Sequence, residues 1–174
     1  MSTSREIASF VVDRWFNAAN QWASYFSVPV EKVLAHIAVE SKGREYALHS
    51  DKFGESYYAK SADDAFLKLS EWERRGDSAL NVSIGLMQVV PKNGLADYNR
   101  VYGASAFINP DELVSDPAKN IQAGTGYLRV LFQRWGDWGT ASRAYNGNPK
   151  LERTANYLKK ILEYEQIIKQ LIKS

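Results

Sequence analysis

Apolar and aromatic side chains recur every three or four residues along most of this chain, and that spacing restricts it to a mainly helical fold. The first such stretch contains Ile7, Phe10, Val11, Trp15, Ala18, Trp22, Tyr25 and Phe26. These residues would form one face of an amphipathic helix. We expect Ser4 to cap it, because a short hydroxyl side chain accepts a hydrogen bond from the unpaired N–H groups of a first turn.

Further helices are indicated by the same spacing and by residues typical of helix ends. Ser61 and Asp64 form the pattern of a capping box, and Asp116 followed by Pro117 places a cap before a proline in the first turn. The segment 45–60 is polar and aromatic without a steady period, so we expect an irregular lobe or a short β-hairpin there. The expected helices cover residues 29–41, 61–75, 117–135, about 139–145 and about 151–172.

Length and composition favour one domain with a hydrophobic core. The chain has 174 residues, 45% of them hydrophobic, and no cysteine. The lack of cysteine excludes disulfide frameworks, cysteine-based metal sites and cysteine nucleophiles. Lysine and arginine number 22 against 20 aspartate and glutamate residues, and this balance argues against a nucleic-acid binder, which typically carries a concentrated basic surface. We therefore expect a single domain over residues 1–174.

No segment indicates a membrane span or an export signal. The uncharged stretches are far shorter than the roughly 20 residues that a membrane-spanning helix needs. The first residues lack a basic region followed by an apolar run, so no signal peptide is visible. His36 and His49 are the only histidines, and their spacing matches no metal-binding motif. We expect them to have structural roles.

Glu40 has the sequence environment of a catalytic acid. On a helix it shares a face with Val33, His36 and Ile37. Removal of water from a carboxylate favours the neutral acid, and the C-terminal end of a helix disfavours an anion, so both effects raise the pKa. A raised pKa suits a general acid that works near neutral pH. The alternative is a glutamate that projects from the last helical turn into solvent.

Two other segments carry polar groups beside glycine. In the segment 83–88, Gly85 allows close backbone approach to a ligand, and Gln88 offers both a donor and an acceptor. In the segment 144–147, Tyr145 supplies a ring and a hydroxyl group. Taken singly, the first segment is equally well a buried turn, and the second a helix end with a packed tyrosine.

Together these segments resemble the signatures of the lytic transglycosylase family related to goose-type lysozyme. The matching residues are Glu40-Ser41, then Gly85-Leu86-Met87-Gln88, then Ala144-Tyr145-Asn146, in the family's order. Residues 120–128 are similar to the family's helix with Asn, Ala-Gly and Tyr-Leu, and the resemblance covers roughly residues 28–165. The segment from Ser61 to Pro91 resembles the specialised transglycosylases of conjugation and type IV secretion systems, and type III secretion and phage relatives share much of it.

This resemblance implies a lysozyme-like α-helical domain and an enzyme without a cofactor. Glu40 would be the single acid and base that cleaves the β-1,4 bond between N-acetylmuramic acid and N-acetylglucosamine in peptidoglycan, leaving a 1,6-anhydromuramic product. Ordinary glycosidases use two carboxylates, and the matched motifs contain one. A hydrolytic lysozyme on the same scaffold stays open as an alternative, with the second carboxylate drawn from Glu45, Asp51, Glu55 and Asp63.

The resemblance also assigns roles around the sugar. Ser83 and Gln88 would line its site and Met87 would pack beneath it, while Tyr145 would face the acid. Ser41 and Asn146 would support these residues from behind. Tyr57 and Tyr58, from their place in the irregular segment, are expected to be stacking platforms for sugar rings.

Partners and location follow from this implied substrate. We expect a monomer that acts on peptidoglycan strands in the periplasm or cell envelope, with a secretion or conjugation apparatus or a phage tail as its associated machine. Nucleic acid is not expected to bind. A further alternative is a wall-binding scaffold protein without catalysis.

Overall fold

The computed structural model describes residues 1–173 and divides into two compact units. One unit is formed by Met1–Gly43 together with the segment that begins at Thr125, and the other by Arg44–Gly124. Residues 1–173 contain eight α-helices and three strands, which in chain order are α1 (Ser4–Phe26), α2 (Val30–Ser41), β1 (Ala47–Ser50), β2 (Glu55–Tyr58), α3 (Ala62–Arg74), β3 (Ser83–Ile84), α4 (Ala96–Ala106), α5 (Pro110–Ser115), α6 (Pro117–Trp135), α7 (Trp138–Asn146) and α8 (Glu152–Lys173). A short 3₁₀ helix (Ala79–Asn81) precedes β3, and a short π-helix (Pro91–Leu95) leads into α4. The expected mainly helical fold is confirmed; the single domain over residues 1–174 stays a prediction.

Helix α2 lies at the centre of the first unit. It packs against both α1 and α8, and α8 also contacts α1 and α7. Every residue of α2 from Lys32 to Ala38 is buried, because neighbouring helices cover it on several sides. A helix enclosed in this way has little freedom to shift, so its last turn holds Glu40 in a fixed place.

Two short segments set where α1 and α2 begin. Thr3, and not Ser4, caps α1: its side chain accepts from the N–H of Glu6, and the Glu6 carboxylate accepts from the N–H of Thr3. Ser4 is the first helical residue, so the expected cap was wrong by one position. Pro29 occupies the N-cap position directly before α2, where the lack of an N–H group costs nothing.

The end of α2 depends on a glycine. Lys42 and Gly43 both have positive φ, 55° and 81°, and the carbonyl of Gly43 accepts a hydrogen bond of 3.0 Å from Trp15 Nε1. A Cβ atom at position 43 would lie 2.9 Å from two ring atoms of Phe10. A larger residue would therefore force the Phe10 ring on α1 to move, and its backbone would be strained at this positive φ.

The second unit contains the small sheet and α3 to α5. The strands are antiparallel in the order β2-β1-β3. Leu48 of β1 pairs with Tyr57 on one side and with Ile84 on the other. The short hairpin, one of the two structures expected around residues 45–60, is confirmed. Tyr57 and Tyr58 had been expected in an irregular segment, but they lie on strand β2.

Helix starts in this part of the chain follow the sequence pattern with one change. Ser61 caps α3 by accepting from the N–H of Asp64, but the Asp64 carboxylate accepts from the N–H of Lys60 and not from that of Ser61. Asp116 caps α6 through bonds from the N–H groups of Ala118 and Lys119. Among residues 1–173, no helix combines the length and apolar character that crossing a membrane requires.

Candidate active site

Glu40 lies in the last turn of α2, half-buried. Its Oε2 atom accepts a hydrogen bond of 2.8 Å from the hydroxyl of Tyr157 on α8. Burial raises the pKa of the carboxyl from its ordinary 4.5 to about 7, against the Tyr157 hydrogen bond, which lowers it. The carboxyl can therefore give up and regain a proton near neutral pH, and the alternative of a solvent-exposed glutamate is not what the structure shows.

Aromatic rings surround this carboxyl within the first unit. The ring of His36, one turn earlier on α2, lies edge-on to Tyr145 and Tyr157, with centroid distances of 5.2 Å and 6.0 Å. Tyr127 of α6 packs on Tyr145 at 5.3 Å. Burial, and then the nearby charge of Glu40, raise the pKa of both Tyr145 and Tyr157 well above 10. Both hydroxyls therefore keep their protons at neutral pH, and that of Tyr157 donates to Glu40.

His36 is fully buried behind Glu40. Its Nδ1 atom lies 2.7 Å from the carbonyl oxygen of Lys32, and because a carbonyl only accepts, Nδ1 carries the proton. Nε2 is then an acceptor, and it has no hydrogen-bond partner among residues 1–173. Burial lowers the pKa of His36 from 6.5 to about 3, so this imidazole is neutral at and around neutral pH.

The buried, neutral state of His36 makes stability depend on pH. A lowered histidine pKa stabilises the fold above about 6.5, and that contribution is lost as pH falls towards 3, because the unfolded chain takes up the proton first. We expect wild type to lose about 2–3 kcal/mol relative to His36→Leu between pH 7 and pH 4. Urea unfolding at both pH values measures this difference. Equal losses in the two proteins would contradict the burial of a neutral imidazole.

The segment 83–88 forms a tight turn in the second unit. Ile84 and Val89 exchange two backbone hydrogen bonds of 3.0 Å, and Gly85 and Gln88 take positive φ of 79° and 49°. The amide nitrogen of Gln88 donates to the carbonyls of Ala47 and Gly85 at 3.0 Å each. These bonds fix the orientation of the Gln88 side chain.

Asn120 of α6 holds this turn from below. Its Nδ2 atom donates to the carbonyls of Ile84 and Leu113 at 2.9 Å and 3.1 Å, and its Oδ1 accepts from the N–H of Met87 at 2.9 Å. A Cβ atom at Gly85 would lie 2.2 Å from Asn120 Nδ2. Asn120 is fully buried, so all three bonds form out of contact with water.

The other residues of the second unit that were predicted to contact the sugar differ in exposure. Ser83 is half-buried on β3, whereas Met87 is fully buried beneath the turn. The hydroxyl of Tyr57 donates to Asp64 at 3.0 Å. Tyr58 is 52% exposed, with the guanidinium of Arg44 4.0 Å above its ring. One face of the Tyr58 ring is thus covered by a cation, and the sugar-binding roles of these residues stay predictions.

Ser41 and Asn146 both lie at the ends of helices, but of these two side chains only that of Ser41 forms hydrogen bonds in the part of the chain that the structure describes. The hydroxyl of Ser41 donates to the carbonyl of Ile37 and accepts from the N–H of Gly43, which braces the turn that carries Glu40. Asn146 ends α7, and its buried Oδ1 has no hydrogen-bond partner within the described residues. Among residues 1–173, the histidine, aspartate and glutamate side chains form no group of three that would hold a metal ion.

Tyr157 is the site residue that sequence reasoning missed. From the spacing of residues in the last helix, the expected buried stripe runs through Ala155, Leu158, Leu162, Glu165, Ile168 and Ile172. Leu162 and Ile172 are, however, 48% and 37% exposed. The buried face of α8 consists of Thr154, Tyr157, Ile161, Glu165 and Ile168. The expected stripe was therefore right at its Glu165 and Ile168 positions and one residue too late in the first half of the helix. The regular spacing of three and four through Tyr157 and Ile161 was the signal that could have found it.

The chain belongs to the family described as Transglycosylase SLT domain, which its residues 17–168 match. It is 34% identical over 87 residues to the soluble lytic murein transglycosylase of Escherichia coli (strain K12), covering 49% of this chain and 13% of that protein. It is also 42% identical over 72 residues to the X polypeptide of Escherichia coli, covering 40% of this chain and 38% of that protein. The chain therefore spans less than two thirds of the length of either relative.

Proposed function

We propose that this protein is a peptidoglycan lytic transglycosylase, which cleaves the β-1,4 bond between N-acetylmuramic acid and N-acetylglucosamine and leaves a 1,6-anhydromuramic end. The observation that carries the proposal is the half-buried carboxyl of Glu40, whose pKa lies at about 7 and which Tyr157 holds by a hydrogen bond. Membership of the SLT family and the similarity to the soluble lytic murein transglycosylase of Escherichia coli support it.

The reaction needs one group that is an acid first and a base second. Protonated Glu40 gives its proton to the glycosidic oxygen as the bond from that oxygen to C1 of the muramoyl residue breaks. The resulting carboxylate then takes the proton of the muramoyl 6-hydroxyl, whose oxygen closes on C1, and Glu40 is protonated again. No water is consumed. A pKa near the working pH keeps both protonation states accessible.

The other site residues would bind and orient the glycan. We propose that Ser83, Gln88 and Met87 shape the sugar site, that Tyr145 steadies the developing positive charge, and that Tyr57 and Tyr58 contact neighbouring rings. Ser41 and Asn146 would support them. The fixed orientation of Gln88 by two backbone carbonyls supports a binding role, since a preorganised side chain loses little freedom when a ligand arrives.

The same proposal covers the setting in which the enzyme works. Residues 1–174 would act as one domain, and the family match over residues 17–168, which draws on both units, supports this. The domain would work as a monomer and without a cofactor. The substrate places its action in the cell envelope. A secretion or conjugation apparatus or a phage tail would be the machine it serves, and the resemblance of Ser61 to Pro91 to such specialised transglycosylases supports that assignment.

Mass spectrometry of digested peptidoglycan tests the reaction. We expect fragments that end in 1,6-anhydromuramic acid. Fragments with free reducing ends would instead indicate a hydrolytic lysozyme, with a second carboxylate activating water. Retention of the protein on intact cell wall without any released fragment would indicate a scaffold. Either of those results would overturn the proposal.

The hydrogen bond from Tyr157 gives a prediction about pH dependence. In Tyr157→Phe the ring stays but the bond that favours the Glu40 carboxylate is lost, so the pKa of Glu40 rises further. We expect kcat to fall about tenfold, the loss of one hydrogen bond to a charged group, and the alkaline limb of the kcat profile to move to higher pH. Tyr164→Phe, on the same helix, is the matched control and should leave both unchanged.

A further inference from the structure

Two polar pairs join α2 to α8, and only one of them contains a residue assigned to catalysis. The first is Glu40 with Tyr157. The second is Lys32 with Glu165, whose Nζ and Oε1 atoms lie 2.6 Å apart and whose side chains are 7% and 9% exposed. An ion pair this deeply buried is not explained by the proposed reaction.

The two pairs are evenly spaced along both helices. Glu40 follows Lys32 by eight residues on α2, and Glu165 follows Tyr157 by eight residues on α8. The helices therefore run antiparallel, and the pairs lie two turns apart, about 12 Å at 1.5 Å per residue. His36 lies midway on α2, with its ring against Tyr157. The pairs form the two ends of one shared face.

Lys32 also faces the helix that carries Tyr145. Its Nζ atom lies 5.8 Å from the ring centroid of Trp138, the first residue of α7. Tyr145 follows Trp138 by seven residues, which is again about two turns, and it packs against His36. Tyr145 and Tyr157 thus lie at one end of this face, near Glu40. Lys32 contacts the same two helices, α7 and α8, at the other end.

Replacing a buried ion pair by apolar residues of similar size is often neutral for stability, whereas removing one partner leaves a buried charge and is costly. Such a pair therefore acts mainly on which arrangement is adopted. Apolar contacts, such as those of Ile161 and Ile168, carry no directional bond that defines a position along the helix axis. The contact between Lys32 and Glu165 does define one, because a slide of one turn would separate the two charges and leave both buried.

We propose that Lys32 and Glu165 are positioning residues that fix the axial register of α8 on α2, and so place the Tyr157 hydroxyl on Glu40. Their effect on the reaction rests on the proposed function. Their effect on the contact between Tyr157 and Glu40 does not depend on the proposed function. The two effects can therefore be measured separately.

The test replaces the pair by Lys32→Met/Glu165→Met, which keeps volume and removes both charges. The Glu40 carboxyl is followed by 13C NMR during a pH titration, with thermal unfolding recorded alongside. We expect the unfolding midpoint to stay within a few degrees of wild type. We expect the Glu40 titration to move up by about 0.5–1 pH unit, the effect of one weakened hydrogen bond.

A mutant cycle with Tyr157→Phe distinguishes register from general packing. If the pair acts through Tyr157, adding Tyr157→Phe to the double variant moves the Glu40 titration little further. A full additional shift, or an unchanged titration in the double variant, would overturn the proposal. Replacement of an exposed pair on α4, Asp97→Leu/Arg100→Leu, is the matched control and should leave the titration where it is in wild type.

A conservative variant tests whether pairing itself matters. Lys32→Gln/Glu165→Gln can form a hydrogen bond between the same two positions, so its Glu40 titration midpoint should lie closer to wild type than that of Lys32→Met/Glu165→Met. A shift of the midpoint as large as that in Lys32→Met/Glu165→Met would contradict the proposal. The single variants are expected to unfold at lower temperature, because each buries an unpaired charge.

Kinetics then separate this inference from the proposed function. In Lys32→Met/Glu165→Met we expect kcat to fall about five- to tenfold, by the loss of one hydrogen bond, with KM unchanged. If wild type itself releases no anhydromuramic fragments, the proposed function fails while the titration still decides the register. If wild type is active and the Glu40 titration midpoint in Lys32→Met/Glu165→Met equals that of wild type, the register inference alone fails.

Discussion

Replacing Glu40 by glutamine is expected to abolish nearly all turnover of peptidoglycan while the protein stays folded. Loss of a general acid and base costs about 10²- to 10⁴-fold, and here one group carries both proton transfers. The amide is close in size to the carboxyl, and its oxygen can still accept the hydrogen bond from Tyr157. The rate of fragment release from purified cell walls measures the effect. Glu31→Gln, in the first turn of the same helix, is the matched control and should retain wild-type activity.

Glu40→Gln is expected to become more stable relative to wild type as pH rises. The raised pKa of Glu40 means that the folded state prefers the neutral acid; this contribution is complete below about 4.5 and is lost as pH rises through about 7. Glutamine is neutral at every pH, so Glu40→Gln should gain about 1–2 kcal/mol over wild type between pH 4.5 and pH 8, less than full burial would give because the carboxyl is part-exposed. Equal stability differences at the two pH values, or wall degradation by Glu40→Gln at the wild-type rate, would remove Glu40 from its role.

The second large effect is expected at Asn120. Asn120→Ala leaves the N–H of Met87 and the carbonyls of Ile84 and Leu113 without these bonds in a dry interior. The carbonyl of Ile84 keeps the bond from the N–H of Val89, so the main cost falls on the bonds lost at the N–H of Met87 and the carbonyl of Leu113. Each such loss in a buried place costs about 1–3 kcal/mol, so we expect a loss of about 2–5 kcal/mol. Chemical denaturation measures it. Gln133→Ala, exposed on the same helix, should stay within about 0.5 kcal/mol of wild type.

Activity should fall with the loss of Asn120 for a separate reason. The turn at residues 83–88 contains two positive φ angles, a conformation that needs support from outside, and Asn120 bonds to both sides of it. We expect a rise in KM at a temperature where Asn120→Ala is still folded. An unfolding free energy within 1 kcal/mol of wild type would contradict the assigned role of Asn120.

The environment of Glu40 could be predicted because it depends largely on its own helix. Val33, His36 and Ile37 lie on the same face by geometry alone, and burial of that face raises the pKa of the carboxyl. The donor to Glu40 could not be predicted in this way. Tyr157 lies 117 residues away, and which face of α8 meets α2 is decided by packing that involves Lys32 and Glu165 as well as apolar residues.

The small sheet shows a different reason for a missed assignment. Strands β1 and β2 have four residues each, and β2 is polar and aromatic, so it lacks the alternation of apolar and polar residues by which a strand is predicted. Its pairing with β1 sets the structure. Tyr57 is then held by Asp64, the residue that had been expected to complete a capping box.

Helices α4 and α5 were not predicted. The start of α5 carries a sequence signal that was missed, since Asn109 and Glu112 form a capping box and Pro110 follows the cap. Helix α4 is ended by side-chain bonds to the backbone eight or nine residues along the chain. The side chain of Asn99 bonds to both the N–H and the carbonyl of Ile108, and the hydroxyl of Tyr98 donates to the carbonyl of Ala106. These bonds end α4 and place the start of α5. Only Tyr98 of α4 is buried, so this helix has no apolar stripe from which it could be recognised.

The pH titration of the Glu40 carboxyl in wild-type protein, followed by 13C NMR, tests the central claim most directly. The account predicts a midpoint of about 7, since burial outweighs the hydrogen bond from Tyr157. It also predicts that Tyr157→Phe moves this midpoint upward. A wild-type midpoint near the ordinary value of 4.5 would contradict the account, because Glu40 would then be ionised at neutral pH and unable to protonate the glycosidic oxygen.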